Sequence, residues 1–462
     1  MASSSFRLKL VAVVGAASLV LAACGSKDEA SPSSTSTPAP TSSEASTPET
    51  SGSETAPETS DSAPVESSTD STEETTGGGT PSGDALKIGT LLPQTGSLAF
   101  LGPPEFAGVH LALKEINEAG GVLGSDVVGI DSDSGDTSTN IATQSVDGLL
   151  KQGVSAIVGA ASSGVSFTVI DKITKAGVIQ ISPANTSPDF TTYDDNGLYF
   201  RTAPSDVLQG RVLGNLVVQD GFQNVAIMAL DDPYGTGLAT NVQKAVEAAG
   251  GKIVEKIIYD PKAASYSSEV AKVAAAKPDA LVLIGFDETI KVVNELVSAN
   301  IGPASLPTYF VDGNTSNYGT GDGGFPEGTL KGVKGTLPGA NPGEEFKAKL
   351  LAVDPALKDF SYAGESYDAT VVVALGAIVA KSTDGKAIAA TLVDVTSGGT
   401  KCKSFAECAP LAEAGTDFDY DGQSGPIEFD ANGDPTTATI GVYQYGADNK
   451  YTSLDFIEGS LT

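Results

Sequence analysis

From residue 86 onward the chain alternates short apolar runs with longer segments whose apolar positions recur every three or four residues. Leu86-Lys87-Ile88-Gly89-Thr90-Leu91-Leu92 predicts a strand. After a Gly- and Pro-rich loop, Phe106, Val109, Leu113 and Ile116 form one helical stripe, which predicts a helix over 104–119 stopped by Gly120-Gly121. Strands are predicted at 127–130, 154–158 and 178–182, with helices at 141–151 and 165–175. The pattern then restarts. Ser205 suits the cap of a helix running to Asp220, followed by strands at 225–230, 253–259, 281–284 and 308–311 and helices at 234–249, 267–276 and 288–299. Near-continuous apolar strands separated by helices imply parallel sheets covered on both faces, joined by right-handed crossovers. Two such series over about 380 residues predict two doubly wound α/β lobes. Ligands of such sheets bind beyond the carboxyl ends of the strands.

The stretch before this pattern is different. Arg7 and Lys9 precede an uncharged run from 10 to 23, and Leu21-Ala22-Ala23 leads into Cys24. A basic start, an apolar middle and small residues before a cut predict a secretory signal over residues 1–23, too short to span a bilayer. The cysteine in this place resembles the lipobox of bacterial lipoproteins, which implies cleavage before Cys24, lipid on its sulfur and a protein anchored to a membrane outside the cytoplasm. Residues 24–85 are Ser, Thr, Pro, Glu and Gly with Val65 as a rare apolar residue, a composition that predicts a disordered acidic tether. Its Ser/Thr/Pro content also suits O-glycans.

Net charge is −31. Arg7 and Lys9 leave with the leader, and the tether sets Lys27 against twelve acidic residues, so about −22 stays on the folded part. This argues against nucleic acid as a partner, since phosphate binding needs clustered Lys and Arg. With Cys24 assigned to lipid, Cys402 and Cys408 form an even pair that predicts one short-loop disulfide in an oxidising compartment. The single histidine, His110, falls mid-helix and reads as structural, which leaves a His-dependent nucleophile without its base. No phosphate loop of the GxxxxGK[ST] type and no GxGxxG after a strand is present in the sequence. Asp131-Ser132-Asp133-Ser134-Gly135-Asp136 and Asp430-Ala431-Asn432-Gly433-Asp434 look like pieces of calcium loops, but Ala142 stands where the first would need its glutamate, so no metal is expected. No cofactor is expected either.

Seven motifs in order carry a resemblance. They are Ile88-Gly89-Thr90-Leu91-Leu92-Pro93-Gln94-Thr95-Gly96, the helix ending Asn117-Glu118-Ala119-Gly120-Gly121, Gly159-Ala160-Ala161-Ser162-Ser163-Gly164, Ser182-Pro183-Ala184-Asn185-Thr186, Arg201-Thr202-Ala203-Pro204-Ser205-Asp206 with Gln209-Gly210, Asp231-Asp232-Pro233-Tyr234-Gly235 and Ser424-Gly425-Pro426-Ile427-Glu428-Phe429-Asp430. From Leu86 to about Tyr445 the chain resembles the Leu/Ile/Val-binding family, the extracytoplasmic receptors of branched-chain amino acid ABC importers. The resemblance implies a type I periplasmic-binding-protein fold with three hinge crossovers, near Ala203-Pro204, Lys334-Gly335 and Thr436–Thr439. Lobe 1 would comprise 86–203 and 335–437, and lobe 2 would comprise 204–334 and 438–462. It also implies a monomer that closes on its ligand and presents the closed form to a permease.

Matching the family pattern, Ser163 would donate to a ligand carboxylate at the start of a helix, beside Ser162, where free backbone N–H groups favour an anion. Ala184 would offer its carbonyl to the ammonium and Thr186 would touch both charged groups. Tyr234 and Phe286 would line the cleft from the second lobe, Phe286 standing where the family often carries tyrosine. Asp312 would pair with the ammonium, and Phe100 or Leu101 would wall the ligand side chain. Plain helix capping is the competing use of Ser162 and Ser163, a turn that of Thr186, and packing that of Tyr234.

The resulting expectation is a lipid-anchored solute-binding protein for a small zwitterion, most simply an aliphatic amino acid, and not an enzyme. Its rivals are a sensor ectodomain of the same fold, a receptor for urea, amides or aromatic acids, and an envelope glycosidase using paired carboxylates. The absence of tryptophan weighs against the last.

Overall fold

A computed structural model describes residues 85–321 and 323–461. The leader, Cys24 and nearly all of the tether lie outside the described residues.

The first sheet is built from β1 (Lys87–Leu91), β2 (Val128–Ile130), β3 (Ala156–Gly159), β4 (Ile179–Ser182) and β5 (Tyr199–Arg201), all parallel, in the order β2-β1-β3-β4-β5. Helices α1 (Gly102–Glu118), α2 (Ile141–Lys151) and α3 (Ser163–Lys175) connect its strands. After β5 the chain passes through residues 202–205 into α4 (Asp206–Gln219), capped by Ser205 as expected. Next come β6 (Asn224–Leu230), α5 (Pro233–Ala248), β7 (Lys252–Tyr259), α6 (Ser267–Ala276), β8 (Ala280–Ile284), α7 (Thr289–Ser298) and β9 (Thr308–Phe310). Strands β3, β4 and β8 are buried along their whole length, which explains runs such as Ala-Leu-Val-Leu-Ile without a polar alternate.

Two features correct the sequence expectation. Lys334-Gly335 is not a crossover: β10 (Lys334–Pro338) pairs parallel with β9, so the chain leaves the second sheet only after Pro338, at Gly339. Gly339 has a φ of +113°, which favours glycine at this turn, and a Cβ there would lie 2.5 Å from Oε1 of Glu365. The second sheet is also not wholly parallel. Its order is β14-β13-β10-β9-β8-β6-β7, and β13 (Thr437–Tyr445) and β14 (Tyr451–Ser460) form an antiparallel hairpin laid against β10. The hairpin needs only a tight turn, and its outer strand is largely exposed, which an antiparallel edge tolerates.

Between Gly339 and β13 the chain returns to the first sheet through α8 (Glu344–Val353), α9 (Ala363–Ala380), α10 (Gly385–Ala389), α11 (Leu392–Val395), β11 (Thr400–Cys402), α12 (Phe405–Glu413) and β12 (Phe418–Tyr420). Helix α9 is apolar on every face, as befits a central core helix; it packs against α1, α10, α11, α12 and the strands β3 and β4. By length and composition it would reach across a bilayer, yet it is buried inside the first lobe. Cys402 and Cys408 are joined in a disulfide that ties β11 to α12, both sulfurs lying in this core.

Arg201, at the end of β5, is fully buried and holds the first crossover. Its guanidinium makes a fork to Asp434 (Nε to Oδ1 2.6 Å, Nη2 to Oδ2 2.7 Å) and donates to the carbonyls of Ser187 (2.8 Å) and Asn185 (3.3 Å). A bidentate pair with its remaining protons used is the form in which a buried ion pair persists.

Candidate functional site

Both sheets have the same core order. In the first, β1 lies between β2 and β3; in the second, β6 lies between β7 and β8. Each sheet therefore reverses its winding between its first and third strands, and loops at the carboxyl ends splay apart there to leave a crevice. Residues after β1 and β3 (Leu98, Leu101, Ala161, Ser162, Ser163) meet residues after β6 and β8 (Tyr234, Phe286) around one small cavity of about 250 Å³. Ala184, Asp312, Gly313 and Tyr362 complete the wall.

On the first-lobe side, Ser162 caps α3, its Oγ accepting from the Val165 N–H at 3.3 Å. Ser163 is the first residue of the helix, and its Oγ accepts from the Ser187 N–H at 3.3 Å. In both serines the hydroxyl proton stays available to an acceptor in the cavity. The N-terminal end of α3 adds backbone N–H groups and a positive dipole end. The loop after β4 is held in place by Ser182, whose Oγ donates to Ala160 O (2.7 Å) and accepts from the Asn185 and Ala184 N–H groups.

On the second-lobe side, Asp312 is buried and receives three hydrogen bonds. Tyr234 Oη (2.7 Å) and Gln209 Nε2 (2.9 Å) donate to Oδ1, and Tyr362 Oη (2.8 Å) donates to Oδ2. Burial raises its pKa above the ordinary carboxylate value, while the three donors pull it back. Both tyrosines are pushed well above their usual pKa, first by burial and then by the Asp312 charge, so they remain neutral donors. Tyr234 stacks on Phe286, centroids 5.5 Å apart and planes within 8°. A second carboxyl, Asp206, stands in the first turn of α4 with neither oxygen hydrogen-bonded. Its pKa is raised well above normal by burial and then by repulsion from Asp312. The Thr186 hydroxyl sits close enough to lower it somewhat without reaching hydrogen-bond geometry.

Of the nine residues expected at the site, seven share the cavity wall: Leu101, Ser162, Ser163, Ala184, Tyr234, Phe286 and Asp312. Phe100 and Thr186 do not. Phe100 is partly buried against the second-lobe core, and Thr186 uses its carbonyl to accept from the Asp206 N–H at 2.7 Å. Sequence reading missed Leu98, Gln209 and Tyr362. Gln209 was visible within the motif that follows Arg201, but its role depends on α4 lying beside β10. Tyr362 had no signal, because it comes from the loop before α9, about 50 residues from Asp312 along the chain.

A family model described as periplasmic binding protein matches residues 85–450. A Leu/Ile/Val-binding protein homolog of Brucella suis is 27% identical over 389 residues, spanning 82% of this chain and 95% of that protein. The crystal structure of the leucine-binding protein LivK of Thermotoga maritima aligns with a TM-score of 0.66 at 20% identity, over 81% of this chain and 99% of LivK. A solute-binding protein of R. palustris in complex with benzoate aligns with a TM-score of 0.64 at 19% identity, over 82% of this chain and 98% of that one. The likeness to both solved structures is one of fold, and the match over residues 85–450 decides membership: the chain belongs to the periplasmic binding protein family.

Proposed function

We propose that the protein is the extracytoplasmic solute-binding component of an ABC importer, capturing a small amino acid with an aliphatic side chain. The observation that carries this reading is a charge arrangement. Hydroxyls and a helix N-terminus face the cavity from one lobe, and the buried Asp312 carboxylate faces it from the other. A zwitterion complements both: its carboxylate meets Ser162, Ser163 and the start of α3, and its ammonium meets Asp312 and the Ala184 carbonyl. Asp312 has three donors but no cation beside it, and an ammonium would supply one. Leu98, Leu101 and the Tyr234–Phe286 stack offer an apolar wall for the side chain. The Leu/Ile/Val-binding name of the Brucella relative agrees with this choice.

A benzoate-type ligand is the second reading, favoured by the R. palustris neighbour and by the raised pKa of Asp312, since a protonated Asp312 would accept an aromatic acid. Urea and amides are further members of that alternative, and a sensor ectodomain would share the site. Two lobes divided as above, with residues up to Pro338 moved to the second, the lipid on Cys24 and a monomeric, permease-docked state belong to the same proposal. Thermal unfolding of the full-length protein against a panel of amino acids, urea, amides and aromatic acids tests it, because a ligand that binds only the native state raises the midpoint by mass action. A shift confined to Leu, Ile and Val supports the amino acid reading; a shift confined to aromatic acids overturns it. Cys24→Ser should release the protein from the membrane fraction or leave it unprocessed, and normal retention would refute lipidation.

A further inference from the structure

A second pocket, of about 870 Å³ and open to solvent on one side, lies at the middle crossover, behind the wall formed by Tyr362. Its sides come from the crossover around Pro338 and Gly339, α8, the loop before α9 and the start of that helix, and the β13–β14 hairpin, with Asn317, Gln423 and Ser424 at its margin. Six rings line it, those of Phe346, Phe360, Tyr362, Tyr443, Tyr451 and Phe456. Tyr443 sets its edge against Tyr451 (centroids 5.1 Å) and Phe456 (6.0 Å), which keeps this aromatic wall in place. Tyr451 donates to Asp359 Oδ2 at 2.5 Å, so one acidic group of the pocket is already occupied.

Glu365 is different. It lies in the first turn of α9, is 4% exposed and lines the pocket. Its backbone carbonyl accepts from Thr202 at 2.9 Å, but no neighbouring side chain hydrogen-bonds to its carboxyl group. Among the described residues only its own backbone N–H is placed to donate to this carboxyl, and a buried carboxyl so sparsely paired, set in a ring-lined pocket, is a costly arrangement unless something pairs with it. An organic cation satisfies every part of it: the charge meets the carboxylate, and the apolar body meets ring faces that attract cations.

We propose that this pocket is a second ligand site, distinct from the interlobe cavity, that takes a small organic cation, with Glu365 as its counter-charge and the rings as its cage. The charged and titratable groups around Glu365 are Glu105 from α1, Asp368 on its own helix, Tyr362, Tyr443, and Asp359, Lys347 and Lys358 at the pocket. Lys347, itself part of the lining, is paired at 3.0 Å with Glu344, which is not. Burial and then Asp368 push the Glu365 pKa up to about 8, so a cation must displace its proton below that pH.

The test uses benzyltrimethylammonium, whose charge does not change with pH, titrated calorimetrically into the full-length protein. Saturable binding is expected, at least tenfold tighter at about pH 9 than at about pH 6, because Glu365 ionises between them. Glu365→Gln should weaken it at least tenfold at the higher pH and remove the pH dependence. Phe360→Leu, which keeps apolar bulk and removes a ring, should weaken it several-fold and covers the case in which the Gln variant does not fold. Ser163→Ala, in the other cavity, should leave it unchanged, so the outcome does not depend on what that cavity binds. Absence of saturable binding, equal affinity in Glu365→Gln, or loss in Ser163→Ala would each overturn the proposal.

Discussion

Tyr362, on the loop before α9 in the first lobe, donates its hydroxyl to Asp312 of the second lobe across 2.8 Å. Asp312 follows β9 of the second sheet, Tyr362 precedes α9, which packs on the first, and both line the interlobe cavity. Their bond therefore forms only when the lobes are together. Tyr362→Phe should leave the fold intact and weaken leucine binding several-fold, in keeping with ~1–1.5 kcal/mol for an intramolecular hydrogen bond that does not touch the ligand. Asp312→Asn should weaken it further, by ~2–3 kcal/mol, since the counter-charge itself is lost. Calorimetric titration of both variants checks this; an unchanged affinity in Asp312→Asn would remove the ammonium role.

Ser163 and Thr186 should separate. Ser163 faces the cavity, so Ser163→Ala is expected to weaken leucine binding by ~1.5–3 kcal/mol. Thr186 stands outside the wall and beside Asp206, so Thr186→Ala should change the unfolding midpoint more than the affinity. Paired titration and denaturation curves distinguish the two effects.

Arg201 and Asp434 are a buried pair that ties β5 to the segment leading into β13. Removing one partner strands the other charge without water. Asp434→Ala should cost ~3–5 kcal/mol in urea denaturation, whereas an exposed pair such as Lys114–Glu118 should give under ~1 kcal/mol when broken.

Glu365 also makes stability depend on pH in the ligand-free protein. Its pKa rises from 4.5 to about 8 on folding, so the folded state binds the proton more tightly than the unfolded chain. That advantage is complete below about pH 4.5 and is lost as pH climbs through about 8, a change of up to ~4–5 kcal/mol. The denaturation midpoint should fall across this window. Glu365→Gln should flatten the fall only in part, because Glu105, buried against it, is raised in the same direction.

The Cys402–Cys408 disulfide should appear as an intact mass lighter by two hydrogens than the dithiol form. Its closed loop is short, so the Cys402→Ala, Cys408→Ala double variant should lose only ~2 kcal/mol, read by denaturation.

Much of the fold was legible because the signal was local. The helices at Ile141–Lys151 and Ser267–Ala276 ended where the stripe and flanking residues ended, and Ser205 capped α4 as its residue type predicts. The site was legible wherever it follows a strand: Ser162, Ser163, Tyr234 and Phe286 sit just past the carboxyl ends of β3, β6 and β8, and a parallel sheet places such residues at its crevice. After Phe310 the local signal fades. Helix α9 is apolar all round and carries no stripe, and β10 looks like a linker until β9 and β13 pair with it.

Sequence by itself thus determined the alternation of strands and helices, the two-series layout, the acidic surface and the hydroxyl side of the cavity. Only tertiary structure decided that Thr186 stands outside the wall, that Gln209 and Tyr362 reach Asp312, and that Glu365 is buried beside Gly339 with no side-chain donor. The physical reason is range. Periodicity and capping act over a few residues, whereas these contacts join segments of up to about 100 residues' separation and exist only after the sheets have formed and the lobes have met.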